Sequence, residues 1–307
     1  MKRILIALAV SAATMASAQA ANIGVSMALF DDNFLTVVRN GIQKAASEKQ
    51  GMQIQFEDAT NDIGKQLNQI QNFIAQGVDG IIVNPVDTDA TAQMTKLAAD
   101  AGIPLVYVNR QPADIDQLPA KVAFVGSDEK KSGTLQTEEV CKLMNGKGDI
   151  VVMMGELSNQ AARQRTQDIE DVIAKEPCTG IKILDKQTAN WQRTQATDLM
   201  TNWISAGLKP AAVVSNNDEM AIGAIQALKA AGMSDVIVAG IDATQDGLAA
   251  MKAGDLKVTV FQNAAGQGAG AVETIEKLIK GESVEKNVDV PFELVTPANM
   301  ATYEAKN

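Results

Sequence analysis

From residue 22 onward, two hydrophobic rhythms alternate along the chain. Short runs in which almost every residue is apolar, such as 80–84, read as strands buried on both faces of a sheet. Between them lie longer stretches with apolar residues three or four apart. Leu35, Val38, Ile42, Ala45 and Ala46 are one set, and Leu67, Ile70, Phe73 and Ile74 another; this spacing predicts helices. The strands fall at 22–27, 52–58, 80–84, 104–109, 122–125, 149–154, 181–187, 211–215, 236–241 and 258–262. The helices fall at 34–50, 63–76, 88–101, 130–145, 160–175, 194–206, 219–231, 245–253 and 266–280, with Gly51 and Gly102 placed as helix-ending glycines. A short β-rich tail closes the chain.

Strict β-α alternation means α/β architecture with parallel sheets and right-handed crossovers. About ten strands are too many for one small sheet, so two similar doubly wound lobes are expected, with a cleft between them. No Pro/Ser-rich linker separates them, and the junction near 124–128 is short.

The first twenty residues break the rhythm. Met1-Lys2-Arg3 is basic, 4–13 is apolar, and Ala16-Ser17-Ala18 and Ala18-Gln19-Ala20 offer small-residue cleavage sites. Residues 1–20 therefore read as a secretory signal peptide, and no cysteine follows it to carry a lipid. Without Lys2 and Arg3 the chain holds 25 basic and 37 acidic residues, a net charge of −12. Such acidity opposes nucleic-acid binding. The chain has no histidine, which excludes Ser–His, Cys–His and His–zinc chemistry. Its two cysteines, Cys141 and Cys178, each near a helix end, are either a disulfide formed on export or two separate buried thiols.

In an open parallel sheet, ligands bind beyond the carboxyl ends of the strands. The residues there are Phe30, Asp32 and Phe34, then Asn109 and Arg110, then Arg165, Trp191, Asn217, Asp242 and Gln262. Carboxylates accept hydrogen bonds, guanidiniums donate several in a rigid fork, and carboxamides do both. Aromatics are only 4% of the chain, yet three stand in this set. Flat apolar walls among mixed donors and acceptors suit a polyhydroxylated ring.

Five segments carry a resemblance that spans the whole mature chain. They are Gly77-Val-Asp-Gly-Ile-Ile-Val-Asn-Pro85, Gly102-Ile-Pro-Leu-Val-Tyr-Val-Asn-Arg110, Ala161-Ala-Arg-Gln-Arg165, Asn217-Asp-Glu-Met-Ala-Ile-Gly-Ala224 and Gly240-Ile-Asp242. Together they resemble the ribose- and galactose-type periplasmic sugar-binding proteins of ABC transporters. The resemblance implies a monomer with a three-segment hinge. Residues 21–127 and 263–291 would form the N-terminal lobe, and 128–262 and 292–307 the C-terminal lobe. It implies ligand contacts at the ten positions above, with Phe30 matching less securely because the loop length differs. Ribose binders carry Asn at Asp32, Phe at Trp191 and Asp at Asn109. In all three this chain looks like hexose-type relatives, which favours a hexopyranose or a cyclitol of the inositol or rhizopine kind. The implied partners are a membrane permease and, alternatively, a chemoreceptor; no cofactor is implied.

Other motifs are weaker. Ser127-Asp-Glu-Lys130 has Ser-x-x-Lys spacing without its companion motifs, and reads as a solvated helix start. Gly266, Gly268 and Gly270 precede a helix with the wrong spacing for a nucleotide. Asp58, Thr60 and Asp62 lack the glycine and glutamate of a calcium loop. A carbohydrate-active enzyme would need a protonated carboxylic acid, whereas arginines near Asp32 and Asp242 are expected to hold both ionised. A repressor of the same core would need a helix-turn-helix head where the signal peptide stands.

Overall fold

The computed structural model describes residues 20–306. The signal peptide expected over 1–20 lies, but for Ala20, outside the described residues. The first eight elements are β1 (Ala21–Met27), α1 (Asn33–Ser47), β2 (Met52–Asp58), α2 (Ile63–Gln76), β3 (Gly80–Val83), α3 (Thr91–Asp100), β4 (Leu105–Val108) and β5 (Val122–Gly126). Next come α4 (Glu129–Leu143), β6 (Lys147–Met154), α5 (Gln160–Ile173), β7 (Gly180–Thr188), α6 (Arg193–Ser205) and β8 (Ala212–Ser215). They are followed by α7 (Asp218–Ala230), β9 (Ile237–Ala239), α8 (Gln245–Lys252) and β10 (Thr259–Phe261). The chain ends with α9 (Ala264–Ile279), β11 (Asn287–Asp289) and β12 (Glu293–Val295).

Two lobes result, each a parallel sheet covered on both faces. The first sheet has the order β11-β5-β4-β3-β1-β2. Alternation along its apolar strands supplies two cores at once. Ile82, Val106 and Val108 face α1 and α9, while Ile81, Val83, Leu105 and Tyr107 face α2 and α3. This is why the strands read as unbroken apolar runs. Helices α1 and α9 touch closely because Gly41 and Gly268 lie at their crossing. A Cβ on Gly268 would fall 2.5 Å from the Val38 carbonyl oxygen, and one on Gly41 2.8 Å from that of Ala265. The glycines of 266–270 thus include a helix-packing position.

The second sheet has the order β7-β6-β8-β9. Val151, Met153 and Val213 face α6 and α7, and Ile150, Val152 and Val214 face α4 and α5. The β10 segment runs parallel beside β9 at the edge of this sheet. The Lys257 N–H donates to the Val238 carbonyl, the Gly240 N–H to that of Val258, the Asp242 N–H to that of Val260 and the Gln262 N–H to that of Asp242, which itself stands at φ +123°. β10 also pairs with β12, antiparallel. The chain crosses between lobes after β5, after β10 and between β11 and β12. Cys141 and Cys178 form a disulfide beneath α4 and α5.

Candidate ligand-binding cleft

The carboxyl ends of both sheets face one another, and a cavity walled by both lobes lies between them. Asp32, Phe34, Leu35, Asn109 and Arg110 line it from the first lobe, and Glu129, Asn159, Ala161, Arg165, Trp191, Asn217, Asp242 and Gln262 from the other side. Nine of the ten residues singled out from the sequence thus converge. Phe30 does not: its ring packs under the Arg39 guanidinium, 4.2 Å away, outside the cavity wall.

Local backbone rules place each side chain. Asp32 caps α1, its carboxylate accepting from the Leu35 N–H at 2.8 Å. Asn217 caps α7, accepting from the Met220 N–H at 3.0 Å, and its Nδ2 donates to the Trp191 carbonyl at 3.2 Å. Asn109, Trp191 and Asp242 all take positive φ, at +68°, +66° and +123°. Left-handed backbone is unusual for a bulky residue and clusters at functional sites. At Trp191 the ring is held as well, its Nε1 donating to Asn159 Oδ1 at 3.1 Å. Gly155 makes room for it, since a Cβ there would lie 2.2 Å from the indole.

Arg165 is the most constrained polar group. Its Nε and Nη2 donate to the two oxygens of Glu129 at 2.8 and 3.0 Å, a bidentate fork. Nη1 donates to the Asn216 carbonyl at 2.7 Å, and Nη2 also reaches Gln262 Oε1 at 3.3 Å. Nη1 lies 3.9 Å from Asp242, and the indole centre is 5.7 Å from the guanidinium. Arg110 donates to the Pro85 carbonyl at 3.0 Å; burial lowers its basicity, against the attraction of Glu156 and Asp32.

Burial also governs the cavity carboxylates. It pushes Asp242 well above the usual carboxylate range despite Arg165, and raises Asp32 despite the Leu35 N–H and Arg110. The arginines therefore do not hold these two carboxylates at ordinary acidity, contrary to the sequence expectation. Desolvation of the charged form outweighs them.

Glu129 and Asn159 were not singled out from the sequence. Glu129 sits in the segment read as a solvated helix start. A start it is, since α4 begins there, but the Glu129 side chain is 2% exposed and faces inward to Arg165. A carboxylate next to a helix cap carries no sequence mark of burial. Asn159 lies in a loop, and only its bonds to Trp191 and, through Nδ2 at 3.0 Å, to the Val86 carbonyl reveal its place. Of the suspected calcium residues, Asp58 accepts from the Phe30 and Thr60 N–H groups and Asp62 caps α2.

The lobes touch across the cleft. The Thr88 N–H donates to the Ser158 carbonyl at 3.1 Å, the Gln160 N–H to Thr88 Oγ1 at 3.0 Å, and Arg163 pairs with Asp89 at 2.8 Å. Among the described residues, no helix is long and apolar enough to cross a membrane.

Residues 23–283 match the family model described as a periplasmic binding protein domain. A Rhizobium meliloti protein named for rhizopine binding is 62% identical over 309 residues, covering all of both chains. A ribose import binding protein of Salmonella typhimurium is 32% identical over 94% of this chain and 95% of its own. An ABC transporter solute-binding protein of Bacillus halodurans, solved with myo-inositol bound, is 44% identical and superposes with a TM-score of 0.90. That alignment covers 95% of this chain and 100% of the other. Two parallel-sheet lobes enclosing a polar, aromatic-walled cavity and a family match over most of the length agree: the chain belongs to the periplasmic binding proteins.

Proposed function

We propose that the protein captures a monosaccharide or cyclitol, a hexopyranose or an inositol- or rhizopine-like ring, by lobe closure and delivers it to an ABC permease. The reading rests above all on one observation. Arg165, locked by Glu129, and Trp191, locked by Asn159 over Gly155, form a preset wall in one lobe, opposite Asp32, Asn109 and Arg110 in the other. A ring between these walls gains its full set of contacts only when the lobes meet, so it shifts the population toward closure. Asp242 and Asp32 accept ring hydroxyls, the two arginines donate, and Trp191 and Phe34 cover the C–H faces. Proteins of this family with myo-inositol or ribose in their names support the ligand class.

Closure would bend the chain near 127/128, 262/263 and 291/292, dividing it into lobes 21–127 with 263–291 and 128–262 with 292–307. The protein works as an exported periplasmic monomer, releases its ligand unchanged, and presents acidic faces to basic loops of the permease or, in a sensing role, to a chemoreceptor.

One observation favours a second ligand form. Three carboxylates, Asp32, Glu129 and Asp242, line the cavity against two guanidiniums, so an amino-cyclitol would bring the missing positive charge to Asp32. Calorimetry on protein freed of ligand by unfolding and refolding tests both forms, with myo-inositol, amino-inositols, hexoses and pentoses as arms. Saturable binding of a cyclitol or hexose supports the proposal, and tighter binding of the amine selects the second form. Binding of none of them, or recovery of a chemically altered ligand, overturns it.

A further inference from the structure

The lobes also meet where neither touches the ligand cavity. Asn33, next to Asp32 in the chain, donates from Nδ2 to Glu219 Oε1 across the cleft at 2.8 Å. Glu219 lies two residues past Asn217, in the first turn of α7. Its carboxylate is already fixed within the second lobe. Arg193, opening α6, donates to both oxygens at 2.9 Å, and its Nη2 also holds Asp246 of α8 at 2.6 Å. Three helices thus set the acceptor in place before the first lobe arrives. The donor is set too, as the first residue of α1 behind the Asp32 cap. On the opposite rim the Arg163–Asp89 pair also joins the lobes, but its side chains, 40% and 60% exposed, have no such fixed frame, a setting in which ion pairs add little.

We infer that Asn33 and Glu219 form a preorganised latch that determines affinity without touching the ligand. The inference rests on the reading that the lobes close on a bound ring. A contact made only in the closed form strengthens every closed complex by the same factor, so long as the ligand-free protein is mainly open. The latch therefore scales affinity and slows release, and leaves the ranking of ligands to the cavity. Its residues adjoin ligand-facing ones on both lobes, Asp32 and Asn217, so closing the latch and seating the ring are one movement.

Asn33 is exposed, so its variants retain the fold. In Asn33→Ala, affinity for myo-inositol is expected to fall about three- to tenfold, as for loss of one ordinary hydrogen bond, because the contact is solvent-exposed. The loss appears in the dissociation rate and by the same factor for every ligand that binds. Asn33→Asp, which sets two carboxylates face to face, weakens binding further and raises the radius of gyration of the loaded protein in small-angle scattering. Asn33→Lys, an ion pair to Glu219, restores or exceeds wild-type affinity and makes it salt-sensitive. Wild-type affinity and dimensions in both Asn33→Ala and Asn33→Asp overturn the latch, as does an affinity loss that differs from ligand to ligand. Failure of the wild-type protein to bind or close on any ring instead overturns the underlying reading. The latch is then still decided by whether Asn33→Lys compacts the ligand-free protein relative to Asn33→Asp.

Discussion

Replacing Gly155 by alanine isolates the aromatic wall from the rest of the site. Gly155 does not take a positive φ, so alanine fits its backbone and only the space is at issue. The added methyl would lie 2.2 Å from Cζ2 and 2.3 Å from Cε2 and Cη2 of Trp191. Carbon atoms rest about 3.5–4 Å apart, so the ring must move by more than an ångström. Moving it breaks the 3.1 Å bond to Asn159, worth about 0.5–1.5 kcal/mol. It also removes the stacking face and the guanidinium contact at 5.7 Å, about 0.5–1.5 kcal/mol more. The total, about 1–3 kcal/mol, predicts a 5- to 150-fold rise in Kd for myo-inositol by calorimetry. Fluorescence supplies an internal control. The chain has two tryptophans, and Trp203 is buried, bonded to Asp185 and absent from the cavity wall, so the Trp191 emission should shift most. Affinity within twofold of wild type together with unchanged emission would refute the role given to Trp191.

Arg165→Ala should cost a few kcal/mol of binding, because ring oxygens and Glu129 alike lose their donor; unchanged affinity in calorimetry removes Arg165 from the site. Glu129→Gln keeps the shape but not the charge, and should weaken binding about tenfold or more while lowering stability by about 3 kcal/mol in urea titrations. Reducing the Cys141–Cys178 bond, which spans 37 residues, should lower stability by about 3–4 kcal/mol, and mass spectrometry of the native protein should show both thiols blocked to alkylation. Burial pushes Asp168 up to about 6, with repulsion from Glu129, Asp171 and Asp128 and against a hydrogen bond from Gln164. Its folded value lies above its unfolded one, so its stabilisation is complete below about pH 4 and is lost as pH rises through 6. Asp218, pushed up to about 7, acts in the same sense. Stability should therefore fall from pH 5 to 7.5, and Asp168→Asn should remove part of that fall; a flat profile, or one unchanged by the substitution, contradicts the assignment.

The sequence made the two-lobed fold legible because the central strands of each sheet bury both faces. Runs such as Ile81, Ile82 and Val83 cannot belong to a half-solvated sheet, and the helices between them carry one apolar face each. The strand-end rule made most of the site legible as well, since Asp32, Asn109, Trp191, Asn217 and Asp242 all follow strands. What stayed hidden is what holds those residues in place. Glu129 and Asn159 act by tertiary contact across more than thirty positions, to Arg165 and Trp191, and no local pattern encodes such a pairing. The second partner of β10 was hidden for a related reason. That partner is β12, more than thirty positions further along the chain, and no local pattern announces it.

The raised carboxylates explain why closure and binding should be one event. Bringing the lobes together strips water from Asp32 and Asp242, and burial then disfavours their charged forms more than the nearby guanidiniums favour them. Neither arginine is at liberty to compensate fully. Arg165 is committed to Glu129 and the Asn216 carbonyl, and Arg110 to the Pro85 carbonyl. A polyhydroxylated ring brings the hydroxyl donors that these carboxylates exchange for water, and an ammonium group would do so more strongly. On the proposed function, the residues assigned to the ligand thus oppose closure until it arrives, while the Asn33–Glu219 contact favours closure regardless of it. Affinity is then set by the balance of the two terms. On that balance, Asp32→Asn should ease closure of the ligand-free protein while weakening the grip on the ring, moving scattering and calorimetry in opposite directions.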